Sequence, residues 1–303
     1  MTVSWWEIVH ESRTHGLRDE LSSKLSAKLD SSIRHGRIID DYYLPLFFYL
    51  DHKAGKSLTR PCFVGINAPQ GGGKTTLTNY LVQLFAWNGK KAVTLSIDDF
   101  YLTRAKQLQI ARDNPENPYL QQRGYPGTHD IQLGVETLSA LKSQQNIESM
   151  LLPRYDKSLH AGKGDRIDIS QWQEVTLPVD IVLVEGWMLG FPSLSPDRIQ
   201  DPNLSQINYL LENYGAWSSF LDEFVYLYPQ DPYFVLDWRI EAEERMKARG
   251  LTGMTDKEVR EYAELFLPAY EMYGPVLAEQ LLPGVSSLKI EIGKNRLPVK
   301  QKA

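Results

Sequence analysis

The chain has 303 residues, 42% hydrophobic and 23% charged, with a net charge of −5 and a pI near 5.8. This composition suits a soluble globular protein with apolar residues for one large core or two smaller ones, and disorder is not its default. The acidic balance argues against a general nucleic-acid binder, which needs a basic surface to displace counterions; a local basic cluster therefore reads as a pocket.

The N-terminus, MTVSWWEIVHESR, has the regions of neither a signal nor a transit peptide. No apolar segment approaches membrane-spanning length, so a cytoplasmic enzyme without membrane partners is the simplest expectation. Leu17, Leu21, Leu25, Leu29 and Ile33 recur at every fourth position and predict a helix with one apolar stripe. Residues 42–50 form a second apolar and aromatic run, and residues 52–60 are polar. Residues 1–60 are expected to be a helical extension packed on a catalytic core of residues 61–303.

Residues 62–66 are an apolar run that reads as a strand and begins with the only cysteine, Cys62, which excludes an intrachain disulfide or a thiolate metal cluster. Residues 68–76 then read APQGGGKTT, and the helical pattern Leu77, Tyr80, Leu81, Leu84 follows. Strand, glycine-rich loop and helix are the context of a phosphate-binding P-loop. Gly71, Gly72 and Gly73 leave no side chains between backbone and ligand, so amide N–H groups can turn inward around an anion. The helix start adds about half a positive elementary charge. Lys74 is expected on the β- and γ-phosphates, Thr75 on Mg²⁺, and Thr76 in the same cradle.

Asn88 and Gly89 stop the helix, and residues 92–97 form the next apolar strand. Further strands are expected at 181–184, 224–228 and 288–292, the last alternating. Helices are expected at 131–141, 233–249 and 256–273; the last begins with a Thr255 and Glu258 capping box and is kinked or split by Pro268. Continuous apolar strands separated by helices predict an α/β fold, a three-layer P-loop sandwich around a mostly parallel sheet.

Ligands on such sheets bind beyond the carboxyl ends of the strands. The second strand leads into Asp98, Asp99, Phe100 and Tyr101, and the third into Glu185, Gly186 and Trp187. Mg²⁺ takes carboxylate and hydroxyl oxygens, which suits Glu185 with Thr75. Transfer of a phosphoryl group to an alcohol benefits from a carboxylate that accepts the hydroxyl proton, and Asp98, first after its strand, is the candidate. Both aspartates could instead serve as turn formers or caps.

These residues carry a resemblance. The P-loop, the D-x-F-Y signature at 98–101 and the strand ending in Glu185 and Gly186 look like the phosphoribulokinase, uridine kinase and pantothenate kinase group. SIDDFYLT, RGYPGTHD at 123–130, PRYDKSLHAGKGDR at 153–166, LVEGWMLGF at 183–191, DWRIEAE at 237–243 and GMTDKEV at 253–259 are similar to D-glycerate 3-kinases of the plant, fungal and cyanobacterial type. The resemblance covers most of residues 61–275. It implies ATP-dependent phosphorylation of the primary hydroxyl of D-glycerate, with ATP and Mg²⁺, in glycerate salvage or photorespiratory recycling. Uridine or pantothenate phosphorylation, or a nucleotide-regulated ATPase, are the alternatives, since fold does not select the acceptor.

The resemblance places two basic loops near the acceptor. A small carboxylate calls for a planar cation, which suits Arg123 and Arg154, with Lys157, Arg166, His160 and Lys163 close in sequence. Tyr101, Tyr155 and His129 are candidate hydroxyl partners, and Asp130 is a candidate helix cap. A helical lid around residues 238–254 is expected to bring Arg239 to the transferring phosphate; Arg245, Lys247 and Arg249 either join it there or lie on an exposed amphipathic helix balanced by Glu241, Glu243 and Glu244.

Overall fold

The computed structural model describes residues 4–29, 36–57, 60–144, 147–248, 250 and 254–300. Its strands are β1 (Cys62–Asn67), β2 (Ala92–Ser96), β3 (Ser149–Leu152), β4 (Tyr155–Asp156), β5 (Asp165–Arg166), β6 (Gln173–Thr176), β7 (Ile181–Gly186), β8 (Glu223–Pro229) and β9 (Ser286–Ile292). Five of them form one sheet in the order β2-β7-β1-β8-β9, and every pairing in it is parallel. The wholly buried strands β1 and β7 are covered on both faces, which is why their sequences run apolar without alternating.

The register of this sheet places the site. Asn67 of β1 lies level with Gly186 of β7, and Glu185 lies level with Ser96 of β2. The P-loop, Asp98 and Glu185 thus leave the same edge of the sheet side by side. Glu185 and Gly186 are the last residues of β7, inside the strand and not after it, because Glu185 still pairs with both neighbours and Gly186 with β1.

On one face the helix Lys74–Trp87 packs with N-terminal helices. Trp5, Ile8, Leu21, Leu25, Leu29, Phe47, Leu81 and Phe85 share a core with Val64, Ile66 and Leu183. Leu17 departs from the expected stripe: it stands just before the helix Arg18–Lys28, at its N-cap position, and is 39% exposed. Ile33 lies outside the described residues. The aromatic run begins as a π-helical turn, Ile39–Tyr43, and continues as the helix Leu44–Lys56. The other face holds the second core, to which the helices Ile131–Ser143, Pro202–Leu211 and Leu267–Gln280 contribute.

Pro268 divides the helical stretch after Thr255 into Asp256–Glu264 and Leu267–Gln280, and the Thr255 and Glu258 capping box is formed. Proline is accepted in a first turn because the N–H it lacks has no helical acceptor there. Two antiparallel ribbons are present, β3 with β6 and β4 with β5, the second within what the sequence suggested was a basic loop. Among the described residues no helix is long and apolar enough to cross a membrane.

Candidate active site

The P-loop turns on left-handed glycines, Gly71 at φ +73° and Gly73 at φ +90°. A side chain at Gly71 would bring its Cβ within 2.7 Å of Cβ of Trp238 and 3.0 Å of its backbone carbonyl, so only glycine fits against the helix at this buried residue. Lys74 opens the following helix, and its Nζ donates to the carbonyls of Ala68 at 2.8 Å and Pro69 at 3.1 Å. Burial lowers the Lys74 ammonium from its ordinary value, against the opposing pull of Glu185 and Asp98. The Thr75 hydroxyl donates to Oε1 of Glu185 at 3.1 Å. Burial raises the Glu185 carboxyl, with Lys74 working against it.

A 3-10 turn, Ile97–Phe100, follows β2 and carries both aspartates, capped by Ser96. They separate at once. Asp99 turns toward β4, receives Arg154 at 2.7 Å and the Tyr155 N–H at 3.3 Å, and so fixes the start of that ribbon. Asp98 faces the P-loop side and pairs with Lys157 at 2.5 Å. Burial alone would raise the Asp98 carboxyl; Lys157, with smaller contributions from His129 and Lys74, outweighs it and holds the group well below the usual carboxylate range. Asp98 is therefore an ionised acceptor next to the Lys74 ammonium and close to Glu185.

The 123–130 segment lies along this turn, with Leu102 N–H donating to Thr128 O at 3.0 Å and Asp130 N–H to Phe100 O at 2.7 Å. His129 is thereby stacked on Tyr101, ring centroids 4.3 Å apart, and both are buried. Asp130 caps the helix Ile131–Ser143 and also holds Arg166 at 3.1 Å, while Arg166 donates to Tyr101 O at 2.8 Å. Arg123 sits 5.7 Å from the Tyr155 ring centre and donates to the carbonyls of Gly162 and Lys163. Asp98, Tyr101, His129, Tyr155 and Lys157 form one group. Arg154 and Arg166 are engaged by Asp99 and Asp130, and His160 by Asp165 at 3.2 Å.

On the helix Phe234–Ala248, Arg239 is within electrostatic reach of Lys74. Its guanidinium lies 5.5 Å from the Tyr262 ring centre, and its buried Nε has no partner among the described residues. Arg245 pairs with Glu241 at 3.5 Å and Lys247 with Asp256 at 3.8 Å. Arg249 lies outside the described residues.

A cavity of about 780 Å³ opens from the P-loop, bounded by residues 71–76, Tyr43, Trp238, Arg245 and Arg296, with Asp98 not among its walls. Arg296 had no signal in the sequence. Its Nε donates to Gly71 O at 2.8 Å, its guanidinium lies 5.2 Å from the Trp238 ring centre, and Glu241 pairs with it at 2.7 Å. The Trp238 indole N–H donates to Lys294 O at 2.7 Å. The C-terminal turn thus ties the helix Phe234–Ala248 to the P-loop.

No group of three or more His, Cys, Asp or Glu suited to a metal occurs among the described residues. The Thr75 hydroxyl and Glu185 carboxylate, 3.1 Å apart, do fit Mg²⁺ as phosphate enzymes use it, with few protein oxygens and the rest from phosphate and water.

No family model matches the chain. It is 41% identical over 273 residues to the chloroplastic D-glycerate 3-kinase of Arabidopsis thaliana, covering 85% of this chain and 60% of that protein, so it spans less than two thirds of that relative. It is 35% identical over 259 residues to "Uncharacterized kinase mug58" of Schizosaccharomyces pombe, covering 82% of this chain and 93% of that one. The solved structure of D-glycerate 3-kinase from Cryptococcus neoformans superposes with a TM-score of 0.78 at 30% identity, covering 86% of this chain and 98% of that one.

Proposed function

The chain belongs to the D-glycerate 3-kinase family, and from that premise we propose that it transfers the γ-phosphoryl group of ATP to the primary hydroxyl of D-glycerate, giving 3-phosphoglycerate and ADP. The observation that carries this reading is the place of Asp98: an ionised carboxylate at the end of β2, beside the phosphate cradle and the Thr75–Glu185 pair. A carboxylate there takes the proton of the attacking hydroxyl as its oxygen bonds to the γ-phosphorus and the bond to the β-phosphate oxygen breaks.

The cradle of Gly71, Gly72, Gly73, Lys74 and Thr76 takes the phosphates, and the cavity toward Tyr43 and Arg296 takes the rest of the nucleotide. Thr75 and Glu185 would hold Mg²⁺, which supplies neutralisation of phosphate charge when bound. Lys74 gives up its two carbonyl acceptors for phosphate oxygens. Arg239, with its unpartnered Nε, lies on the lid and steadies the charge of the transferring group. Lys157 and Arg123 receive the glycerate carboxylate, and Tyr101, Tyr155 and His129 wall the acceptor. Arg154 and Arg166 act chiefly by holding the two walls in place through Asp99 and Asp130.

An acceptor panel with the purified protein tests the reading. ADP release that depends on D-glycerate and fails with uridine and pantothenate is expected. Absence of glycerate-dependent ADP release would overturn it.

A further inference from the structure

His129 has one ring nitrogen satisfied and one not. Nδ1 lies 2.8 Å from the Tyr214 hydroxyl oxygen, whereas Nε2 is buried with no partner among the described residues. The Tyr214 oxygen already accepts the Gly127 N–H at 3.0 Å, and Nδ1 is the acceptor its own proton meets. The opposite arrangement, Nδ1–H donating to Tyr214, would leave the tyrosine proton without an acceptor in a buried place, which costs its desolvation uncompensated. Tyr214 therefore donates to Nδ1. Burial holds the ring neutral, its pKa lowered to about 3, so a single proton remains and it sits on Nε2.

The ring is boxed by Tyr101 stacked on one face at 4.3 Å and by Tyr214 and Trp217 set edge-on at 5.5 and 5.8 Å. The charged group it senses is Asp98. A buried N–H donor within electrostatic reach of the proton-accepting carboxylate, lacking an acceptor of its own, suits an oxygen that arrives with the substrate. The cations nearby, Lys157 and Arg123, suit a carboxylate. A neutral donor in an aromatic box suits a neutral hydroxyl.

Resting on the function proposed above, we infer that His129 Nε2–H donates to the C2 hydroxyl of D-glycerate and makes the site specific for a 2-hydroxy acid. Tyr214 is the positioning residue that sets the tautomer. A site with a buried donor rejects the analogue that lacks its partner oxygen, because the donor is then left unpaired.

Two measurements test this. In ¹⁵N–¹H correlation spectra of the free protein, His129 is expected as the Nε2–H tautomer, and Tyr214→Phe is expected to mix or reverse it; an Nδ1–H signal in the unsubstituted protein overturns the inference without touching the proposed reaction. In kinetics, kcat/KM for D-glycerate is expected to exceed that for 3-hydroxypropanoate, which lacks only the C2 hydroxyl, by about tenfold or more. His129→Leu is expected to collapse that preference with the KM for ATP unchanged, and His129→Gln, which keeps an amide donor, to restore part of it. A preference undiminished in His129→Leu refutes the inference while the reaction stands. If the unsubstituted protein phosphorylates neither acid, the proposed function fails together with the donor's assigned partner, and the spectra alone decide the tautomer.

Discussion

His129→Gln should make folding less sensitive to acid. The imidazole is 5% exposed, and burial lowers its pKa from 6.5 to about 3. Between those values the unfolded chain binds a proton that the folded one refuses, so stability rises with pH across this window and is lost as pH falls from 6.5 toward 3. At pH 5 the unfolded histidine is almost fully protonated and the folded one almost fully neutral. The difference is 1.5 pH units below the ordinary value, or about 2 kcal/mol at about 1.4 kcal/mol per unit, against a few tenths at pH 7. Below pH 3 this residue adds nothing more. Urea midpoints at pH 7 and pH 5 measure it. The wild-type chain should lose about 2 kcal/mol more than His129→Gln over that interval, the other titrating groups cancelling in the comparison. Equal losses would show that the imidazole is hydrated or already charged in the fold, and would remove the basis for a neutral Nε2–H donor.

Gly71→Ala must place a Cβ 2.7 Å from Trp238 at φ +73°, whereas Gly73→Ala at φ +90° meets only Arg296 Cδ at 3.9 Å. Both should lose about 1–2 kcal/mol to the left-handed backbone, but Gly71→Ala should melt at a clearly lower temperature and lose nucleotide affinity; equal melting temperatures would contradict the role given to Trp238. Asp98→Asn should lower kcat by about 10²–10⁴ with little change in the KM for ATP, and unchanged turnover would refute its assignment as base. Lys157→Met removes the main group that holds the Asp98 carboxyl down and leaves burial to raise it. The acid limb of the kcat/KM profile should then move to higher pH, because protonated Asp98 cannot accept the hydroxyl proton; an unmoved limb would mean that Lys157 does not set its ionisation.

Much of this site could be read from sequence because its chemistry sits where strands end. APQGGGKTT, Asp98 and Glu185 each follow or finish an apolar run, and a parallel sheet brings such ends together whatever the rest of the chain does. Roles that depend on distant partners had no local sign. Arg296 meets Gly71 across 225 positions, and the orientation of His129 is decided by Tyr214, 85 positions away. The basic loops show the same limit from the other side. Arg123, Arg154 and Arg166 were candidate anion binders because the resemblance placed their loops near the acceptor, yet Asp99 and Asp130 engage two of them, a pairing set by how ribbon β4–β5 folds back on the turn after β2. That ribbon escaped notice because its strands are two residues long and carry polar side chains, with no period to detect.

The proposed reaction is tested most directly by ³¹P NMR of a mixture of the purified protein, ATP, Mg²⁺ and D-glycerate. The γ-phosphate signal is expected to be replaced by that of 3-phosphoglycerate in step with ADP, and this product signal to fail to form with Asp98→Asn over the same interval. Free inorganic phosphate in its place, or a phosphate on the C2 oxygen, would contradict the proposed reaction.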